Sequence, residues 1–179
     1  MSRKRPPRWS LPTSPAARPA PSVLPTATAS SSVAPEPSGP LVSVEPCSLL
    51  KPDQVAALKL DSRTDTLGKA SDPQRPPGCE WHDTDGARGQ KSLDVYVAAA
   101  RPAKRWPLMD VAGEPFEAAG KKWAVFPSLG DSRVNCAATL SVTDTSSVAI
   151  IRGYLDDVTK MCDLVKAAIP LVTANLPAS

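Results

Sequence analysis

His82 is the only histidine of the chain and the residue best suited to acid–base or metal chemistry. It lies in the stretch EWHDTD, together with Glu80, Asp83 and Asp85. Imidazole and carboxylate groups are common metal ligands and common catalytic groups. On a β-strand, however, Glu80 and His82 point to one face and Asp83 points to the other. One histidine among loop carboxylates is typical of a hairpin rim, so we expect neither a metal site nor a catalytic residue here.

Motifs for the common enzyme chemistries do not occur in the sequence. No serine stands in a GxSxG elbow, and there is neither a P-loop nor a GxGxxG run. Asp156 and Asp157 are adjacent, so on a helix they diverge and suit its first turn better than an acid–base pair. The sequence therefore predicts a protein that is not an enzyme and uses no cofactor.

The four cysteines, Cys47, Cys79, Cys136 and Cys162, include no CxxC pair, which argues against a zinc site and against a thioredoxin-like redox motif. Their even number, with none in the N-terminal segment, favours two disulfides over four free thiols. Three pairings are possible, and the sequence alone does not choose among them. We predict that neighbours in sequence order pair, as Cys47–Cys79 and Cys136–Cys162.

The N-terminal segment differs from the rest of the chain in composition. Eleven of the 21 prolines precede Cys47, and residues 9–40 are almost wholly Pro, Ala, Ser and Thr. Such a segment buries too little apolar surface to offset the entropy of ordering it. We therefore predict a disordered basic tail or tether over residues 1–44 and a single domain over residues 45–179. The segment could be a spacer that holds the domain off a membrane or wall, or an N-terminus without a role.

Charge is equally uneven. Residues 1–46 contain five basic and two acidic residues, whereas the remaining residues contain 16 of each, so the net charge of +3 belongs to the tail. A neutral domain lacks the clustered Lys and Arg on which nucleic-acid affinity rests, and no nucleic-acid partner is expected. MSRKR would suit a signal peptide, but the apolar run of about 7–15 residues that must follow is missing. A membrane tether is therefore expected only if a signal or lipidation site lies upstream.

Periodicity predicts an α+β domain. Pro52 and Asp53 suit the start of a short helix over residues 52–59. The segments that alternate between apolar and polar residues or flank hairpin loops are predicted strands, at 79–83, 92–98, 121–126, 134–142 and 147–154. Residues 61–78 are predicted to be a loop and residues 99–120 a long connection.

The C-terminal part changes to helical spacing from Val158 to Leu176, and Pro170 is expected to bend or break this helix near its end. The resulting prediction is an antiparallel meandering sheet with a short N-terminal helix and a long C-terminal helix packed on one face, held by disulfides.

Three aromatic residues on the predicted strands are candidate ligand-binding residues: Trp81, Tyr96 and Trp123. The simplest interpretation of the two tryptophans is that they belong to the core. The alternative is that one of them lines a ligand cleft between sheet and helix, where aromatic walls are common.

The order of these motifs resembles the DUF3558 family. PCSLLKPDQVAAL is followed by CEW, by the cysteine-containing strand VNCAATLSV and by the helix DDVTKMCDLVKAAIPLVTANL. Members of this family are actinobacterial cell-envelope proteins, many of them lipoproteins. The chain is more distantly similar to the extracellular sensor domains of some actinobacterial serine/threonine kinases. The resemblance implies export, a Ser/Thr/Pro-rich tether and paired cysteines, and it implies no catalytic residues. The signal peptide and lipidation cysteine typical of the family are not found in this chain.

Taken together, these observations predict a non-catalytic, extracytoplasmic domain that binds an unknown small ligand or an envelope protein, as a sensor or accessory module. Two other classes stay open. One is a secreted hydrolase that acts on envelope material through His82 and nearby carboxylates. The other is a cytosolic interaction protein with reduced cysteines, whose proline-rich arm docks in SH3-like grooves.

Overall fold

The structure is a computed structural model that describes residues 39–69, 72, 75–84, 92–106, 112–127, 134–153 and 158–178. Most of the predicted tail, residues 1–38, lies outside the described residues. So do Asp85, Asp156 and Asp157, whose predicted roles therefore stay predictions. Every described residue falls in the unit Pro35–Ser179.

Seven strands and two α-helices make up the regular structure of the described residues, together with two short 3₁₀ turns. The strands are β1 Leu60–Leu67, β2 Gly78–Asp83, β3 Ser92–Ala98, β4 Glu114–Ala118, β5 Lys121–Pro127, β6 Val134–Ser141 and β7 Ser147–Gly153. The helices are α1 Pro52–Ala57 and α2 Val158–Asn175, and the 3₁₀ turns are Pro46–Leu49 and Ala103–Arg105. None of these helices is long and apolar enough to cross a membrane.

All seven strands form one antiparallel sheet in the order β1-β2-β3-β7-β6-β5-β4. Two meanders, β1 to β3 and β4 to β7, join where β3 pairs with β7. The chain between β3 and β4 must therefore pass from the middle of the sheet to its far edge, and it contains the 3₁₀ turn Ala103–Arg105. The coarse prediction of an α+β fold with an antiparallel sheet, a short helix, a C-terminal helix and two disulfides is confirmed.

The two faces of the sheet differ in what covers them. We call the face that shares its buried residues with α2 the inner face, and the opposite face the outer face. Buried inner-face side chains of the sheet form one cluster with side chains of α2: Trp81, Leu93, Val95, Val125, Ala138 and Ile150 from the strands, and Val165, Ile169 and Val172 from the helix. On the outer face the buried cluster is small and consists of Ala98, Ala149 and Trp106, with Tyr96 packed against it.

Helix α2 continues through Pro170 to Asn175, so the predicted break does not occur. Pro170 has no N–H to donate, and its surroundings supply other bonds. The Thr173 hydroxyl donates to the Ile169 carbonyl at 2.6 Å. The Asn175 amide donates to the Leu49 carbonyl at 3.0 Å, which joins the last turn of α2 to the start of the domain. Burial of the apolar side of α2 and these bonds together hold the last turn in place.

The predicted loop 61–78 and connection 99–120 are wrong in part, because each contains a strand at one edge of the sheet. Most side chains of β1 are exposed, and β4 contains Pro115, which edge positions tolerate. An edge strand with little burial shows no alternation of apolar and polar residues, which explains why the pattern missed both.

Each disulfide joins a strand to a helical segment. Cys47, in the first 3₁₀ turn, is bonded to Cys79 on β2, and Cys136 on β6 is bonded to Cys162 on α2. The pairing is the one that we chose from the order of the cysteines, and no cysteine is free among the described residues. The second bond covalently attaches α2 to the inner face, at the same face as the buried cluster.

Candidate functional site

The structure does not bring the three aromatic candidates together. Trp81 and Trp123 lie in the inner-face cluster and are 1% and 2% exposed. The Trp123 indole donates from Nε1 to the Thr173 hydroxyl at 3.0 Å, so its polar atom is satisfied within the core. Tyr96 lies on the outer face and is half-buried. A ligand role for these residues stays a prediction. Of the three, Tyr96 is the one that lies on the outer face.

Tyr96 belongs to an aromatic unit that the sequence did not reveal. Its ring lies 5.7 Å from the ring of Trp106, and the Arg101 guanidinium lies 5.0 Å from the centre of the Trp106 ring. Trp106 donates from Nε1 to the Ser147 hydroxyl at 2.9 Å, which fixes the indole over the sheet. Burial raises the pKa of Tyr96, so its hydroxyl stays protonated and able to donate.

Gly78 makes room for the Tyr96 ring. A Cβ at position 78 would lie 2.6 Å from Tyr96 Cδ1, a distance at which one of the two must move. Glycine is thus required at this point of β2 by close approach of a side chain, not by its backbone conformation. The same contact offers a way to displace the ring by a single methyl group.

Strand register gathers a second group of side chains on the outer face of β1, β2 and β3. Asp65 pairs with Glu80, and Glu80 pairs with Asp94, so three carboxylates form a row across three strands. His82 lies two positions from Glu80 on the same face. We call Asp65, Glu80, His82 and Asp94 the outer acidic cluster.

His82 is the centre of this cluster. Its Nε2 lies 3.0 Å from Asp65 Oδ2, and its Nδ1 lies 3.9 Å from Glu80 Oε1. The first distance is that of a hydrogen bond, in which the N–H donates to the carboxylate, and the second is too long for one. The imidazole is 16% exposed and the Glu80 side chain 20%, whereas the Asp65 side chain is 72% exposed. The cluster is therefore half-buried at its centre and open on the side of β1.

Two polar atoms of the cluster are sealed from solvent. Neither His82 Nδ1 nor Asp94 Oδ1 has a hydrogen-bond partner among the described residues. Burial raises the pKa of Asp94 from its usual value to about 6, and the nearby Glu80 carboxylate adds to the rise, while a hydrogen bond with Ser92 opposes it. The cluster thus concentrates negative charge where water screens it poorly.

The sequence pointed to part of this cluster and missed the rest. The shared face of Glu80 and His82 was predicted, and Asp83 does point to the inner face, where it accepts two hydrogen bonds from buried Arg152 at 2.7 and 2.8 Å. Asp65 was missed because its strand was taken for a loop. Asp94 gave no signal beyond its place in an alternating strand, and only the register places it beside Glu80.

The other half of the outer face contains a groove with two lysines. A groove of about 350 Å³ on the outer side of β5 and β6 is lined by polar and apolar residues that include Lys104, Lys122, Phe126 and Thr139. The outer face therefore combines an acidic end on β1 to β3, an aromatic unit around Trp106 and a groove with two lysines on β5 and β6.

Comparison with known proteins assigns the chain to a family but to no activity. No curated protein and no solved structure matches the chain. The family model described as "Protein of unknown function (DUF3558)" matches residues 10–175, which includes every strand and both helices of the described residues. The chain therefore belongs to the DUF3558 family.

Proposed function

We propose that this protein is a non-catalytic, extracytoplasmic binding domain, a sensor or accessory module of the cell envelope. Its small ligand or protein partner would contact the outer face of the sheet, at the outer acidic cluster and the adjoining Tyr96–Trp106 pair. The observation that supports this most strongly is the difference between the faces. The inner face is buried against α2 and against the segment that contains the first 3₁₀ turn and α1, whereas the outer face presents half-buried charged and aromatic side chains.

The proposed compartment rests on the disulfides and on the family. Disulfides persist in oxidising compartments and are rare in the cytosol. Both disulfides tie helical segments to the sheet, so a reducing compartment would weaken the attachment of each. The motifs of the chain resemble those of actinobacterial envelope proteins and, more distantly, kinase sensor domains. The predicted tether over residues 1–44 would then hold the domain away from a membrane or wall.

Binding is favoured over hydrolysis by the surroundings of His82. A hydrolase of the Ser-His-Asp type needs a hydroxyl that the imidazole can deprotonate. Ser92 pairs with His82 in register, but its side chain is hydrogen-bonded to Asp94. The imidazole N–H is donated to Asp65, and Nδ1 faces Glu80. This arrangement suits recognition of a cationic or hydrogen-bonding group better than attack on a carbonyl.

Site-specific photocrosslinking in intact cells of the native host tests the proposal. One variant carries p-benzoylphenylalanine in place of Asp65, and the control carries it in place of Thr64. Both positions are exposed on the same edge strand, and they point to opposite faces. We expect an adduct with an envelope component from position 65 and none from position 64.

Equal adducts from the two positions, adducts only with cytosolic proteins, or no adduct from position 65 would each contradict the proposal. A thiol count on the same preparation provides a check on the compartment. The protein recovered under denaturing conditions should contain no free thiol, whereas four free thiols would place it in a reducing compartment.

A further inference from the structure

The distance between His82 Nδ1 and Glu80 Oε1 is unusual for two neighbouring polar groups. At 3.9 Å the atoms are too far apart to share a proton, yet both sit at the half-buried centre of the outer acidic cluster. A neutral imidazole has one N–H donor and one nitrogen with a lone pair. In the neutral imidazole, donation from Nε2 to Asp65 leaves the lone pair on Nδ1, on the side of the Glu80 carboxylate. Two electron-rich atoms then face each other without a donor between them.

A metal ion resolves this arrangement. Zinc binds imidazole nitrogen at about 2.0–2.1 Å and carboxylate oxygen at about 2.0–2.2 Å. Two donors on opposite sides of one ion are therefore separated by at most about 4.3 Å. The 3.9 Å between His82 Nδ1 and Glu80 Oε1 falls within this limit. One oxygen each of Asp65 and Glu80 and one nitrogen of His82 lie within 4.8 Å of one another.

Two further observations favour a positive charge on this part of the outer face. Asp94 Oδ1, at the strand position opposite Glu80, is sealed from solvent and has no hydrogen-bond partner among the described residues. Across the described part of the chain, no lysine or arginine forms a salt bridge with Asp65, Glu80 or Asp94. The carboxylates of the cluster therefore have no salt bridge to a described lysine or arginine, and His82 Nδ1 has no hydrogen-bond partner among the described residues.

We infer that the outer acidic cluster binds one divalent transition-metal ion, held by His82 Nδ1 and a Glu80 carboxylate oxygen. This differs from the sequence-based expectation that His82 takes part in no metal site. Asp65 acts through His82 as a positioning residue, because its hydrogen bond to Nε2 fixes the tautomer and leaves Nδ1 free to bind. A donor set of imidazole and carboxylates favours zinc or a similar transition ion over magnesium.

The inference goes beyond the proposed function and does not require it. The metal is titrated into purified protein, whereas the crosslinking is done in cells. A negative result in one experiment therefore leaves the other experiment unaffected. Untagged full-length protein is freed of metal with EDTA and titrated with Zn²⁺ by calorimetry. Because His82 is the only histidine, ¹⁵N-edited NMR of the imidazole shows one spin system and reports directly which nitrogen binds.

The variants separate the metal ligands from the positioning residue and from nonspecific charge. Glu80→Gln removes a ligand and should abolish saturable binding. Asp65→Asn should weaken binding about 10–100-fold, as loss of a carboxylate behind a ligating histidine typically does, and should shift the imidazole tautomer. Because the Asp65 side chain is 72% exposed, this variant should fold normally. Glu117→Gln is the matched control, since Glu117 is an outer-face acid on the opposite edge strand.

We expect one Zn²⁺ per chain, a shift of the Nδ1 resonance on binding, and an affinity that Glu117→Gln leaves unchanged. An excess of Mg²⁺ should not displace the ion. The inference is overturned if no saturable binding occurs, if the imidazole resonances do not respond to Zn²⁺, or if Asp65→Asn and Glu117→Gln bind as tightly as the native protein.

Discussion

The inner and outer faces of the sheet use neighbouring residues of the same strands for different purposes. On the inner face, Trp81 and Leu93 belong to the one buried cluster that also includes residues of the first 3₁₀ turn and of α2, and a disulfide joins β6 to α2. One position away along the same strands, Glu80 and Asp94 carry charge on the outer face. Successive side chains of a strand point to opposite faces, so a few residues of sequence can serve both packing and recognition. The comparison predicts that substitutions on the two faces affect different measurable properties.

The largest effect is expected from removing the bond between β6 and α2. Replacing Cys136 and Cys162 together with alanine should lower the free energy of unfolding by about 2–5 kcal/mol, because the unfolded chain is then less restricted. Urea unfolding measures the change, and the native protein in reductant is the control for loss of both disulfides. A loss below about 1 kcal/mol would mean that α2 is held by packing alone.

The next effect concerns a charge on the outer face and depends on pH. Asp94 has a pKa of about 6 in the folded protein, above its ordinary value of 3.8, chiefly because of burial. Between these values the folded state binds more protons than the unfolded state, so this group lowers stability as pH rises through about 4 to 6. Asp94→Asn removes that dependence.

The expected result is that Asp94→Asn gains up to roughly 3 kcal/mol relative to the native protein between pH 4 and pH 7. Urea unfolding in EDTA at several pH values measures the difference and keeps metal binding out of it. The same pH slope in both proteins would show that Asp94 ionises as freely when folded as when unfolded. The burial of the outer acidic cluster would then have little electrostatic consequence.

An intermediate effect is expected from the hydrogen bond that joins β5 to α2. Thr173→Val keeps the shape but leaves Trp123 Nε1 buried without an acceptor, so it should cost about 1–3 kcal/mol. Thr173→Ser is the control, because it keeps the hydroxyl and should recover most of the loss. Equal stability of the valine and serine variants would show that the methyl group, and not the bond, matters.

The smallest effect is expected at the turn between β4 and β5, which belongs to neither face. Ala119 has a φ of 47° and Gly120 a φ of 73°, so both turn residues are left-handed. Alanine is disfavoured there and glycine or asparagine is not, so Ala119→Asn should raise stability by about 0.5–1 kcal/mol. Thermal unfolding measures this gain. A loss of stability would mean that the turn relaxes to another conformation.

Sequence patterns predicted the strands that bury one face. Strand β3 begins and ends where alternation placed it, because Leu93, Val95 and Val97 all belong to the inner-face cluster. Sequence patterns did not predict the edge strands β1 and β4, where burial does not select apolar residues. For this physical reason the predicted fold had five strands and the structure has seven among its described residues.

The candidate site was less accessible to sequence reasoning than the fold. The outer acidic cluster depends on pairing between β1 and β2, whose register shifts between Leu60 and Thr64. An irregular register on an unrecognised edge strand cannot be deduced from spacing. Sequence patterns did not indicate the position of Trp106 either. It lies in a long connection and is buried because it packs on the outer face of the sheet.

The most direct test of a division between the faces is to measure Zn²⁺ affinity and the free energy of unfolding on two variants, Asp65→Asn and Thr173→Val. We expect Asp65→Asn to weaken Zn²⁺ binding about 10–100-fold and to change the free energy of unfolding by less than about 0.5 kcal/mol. We expect Thr173→Val to lower the free energy of unfolding by about 1–3 kcal/mol and to keep the native affinity for Zn²⁺. If each variant lost both affinity and stability, or if Thr173→Val alone weakened binding, the two faces would not be separate in function.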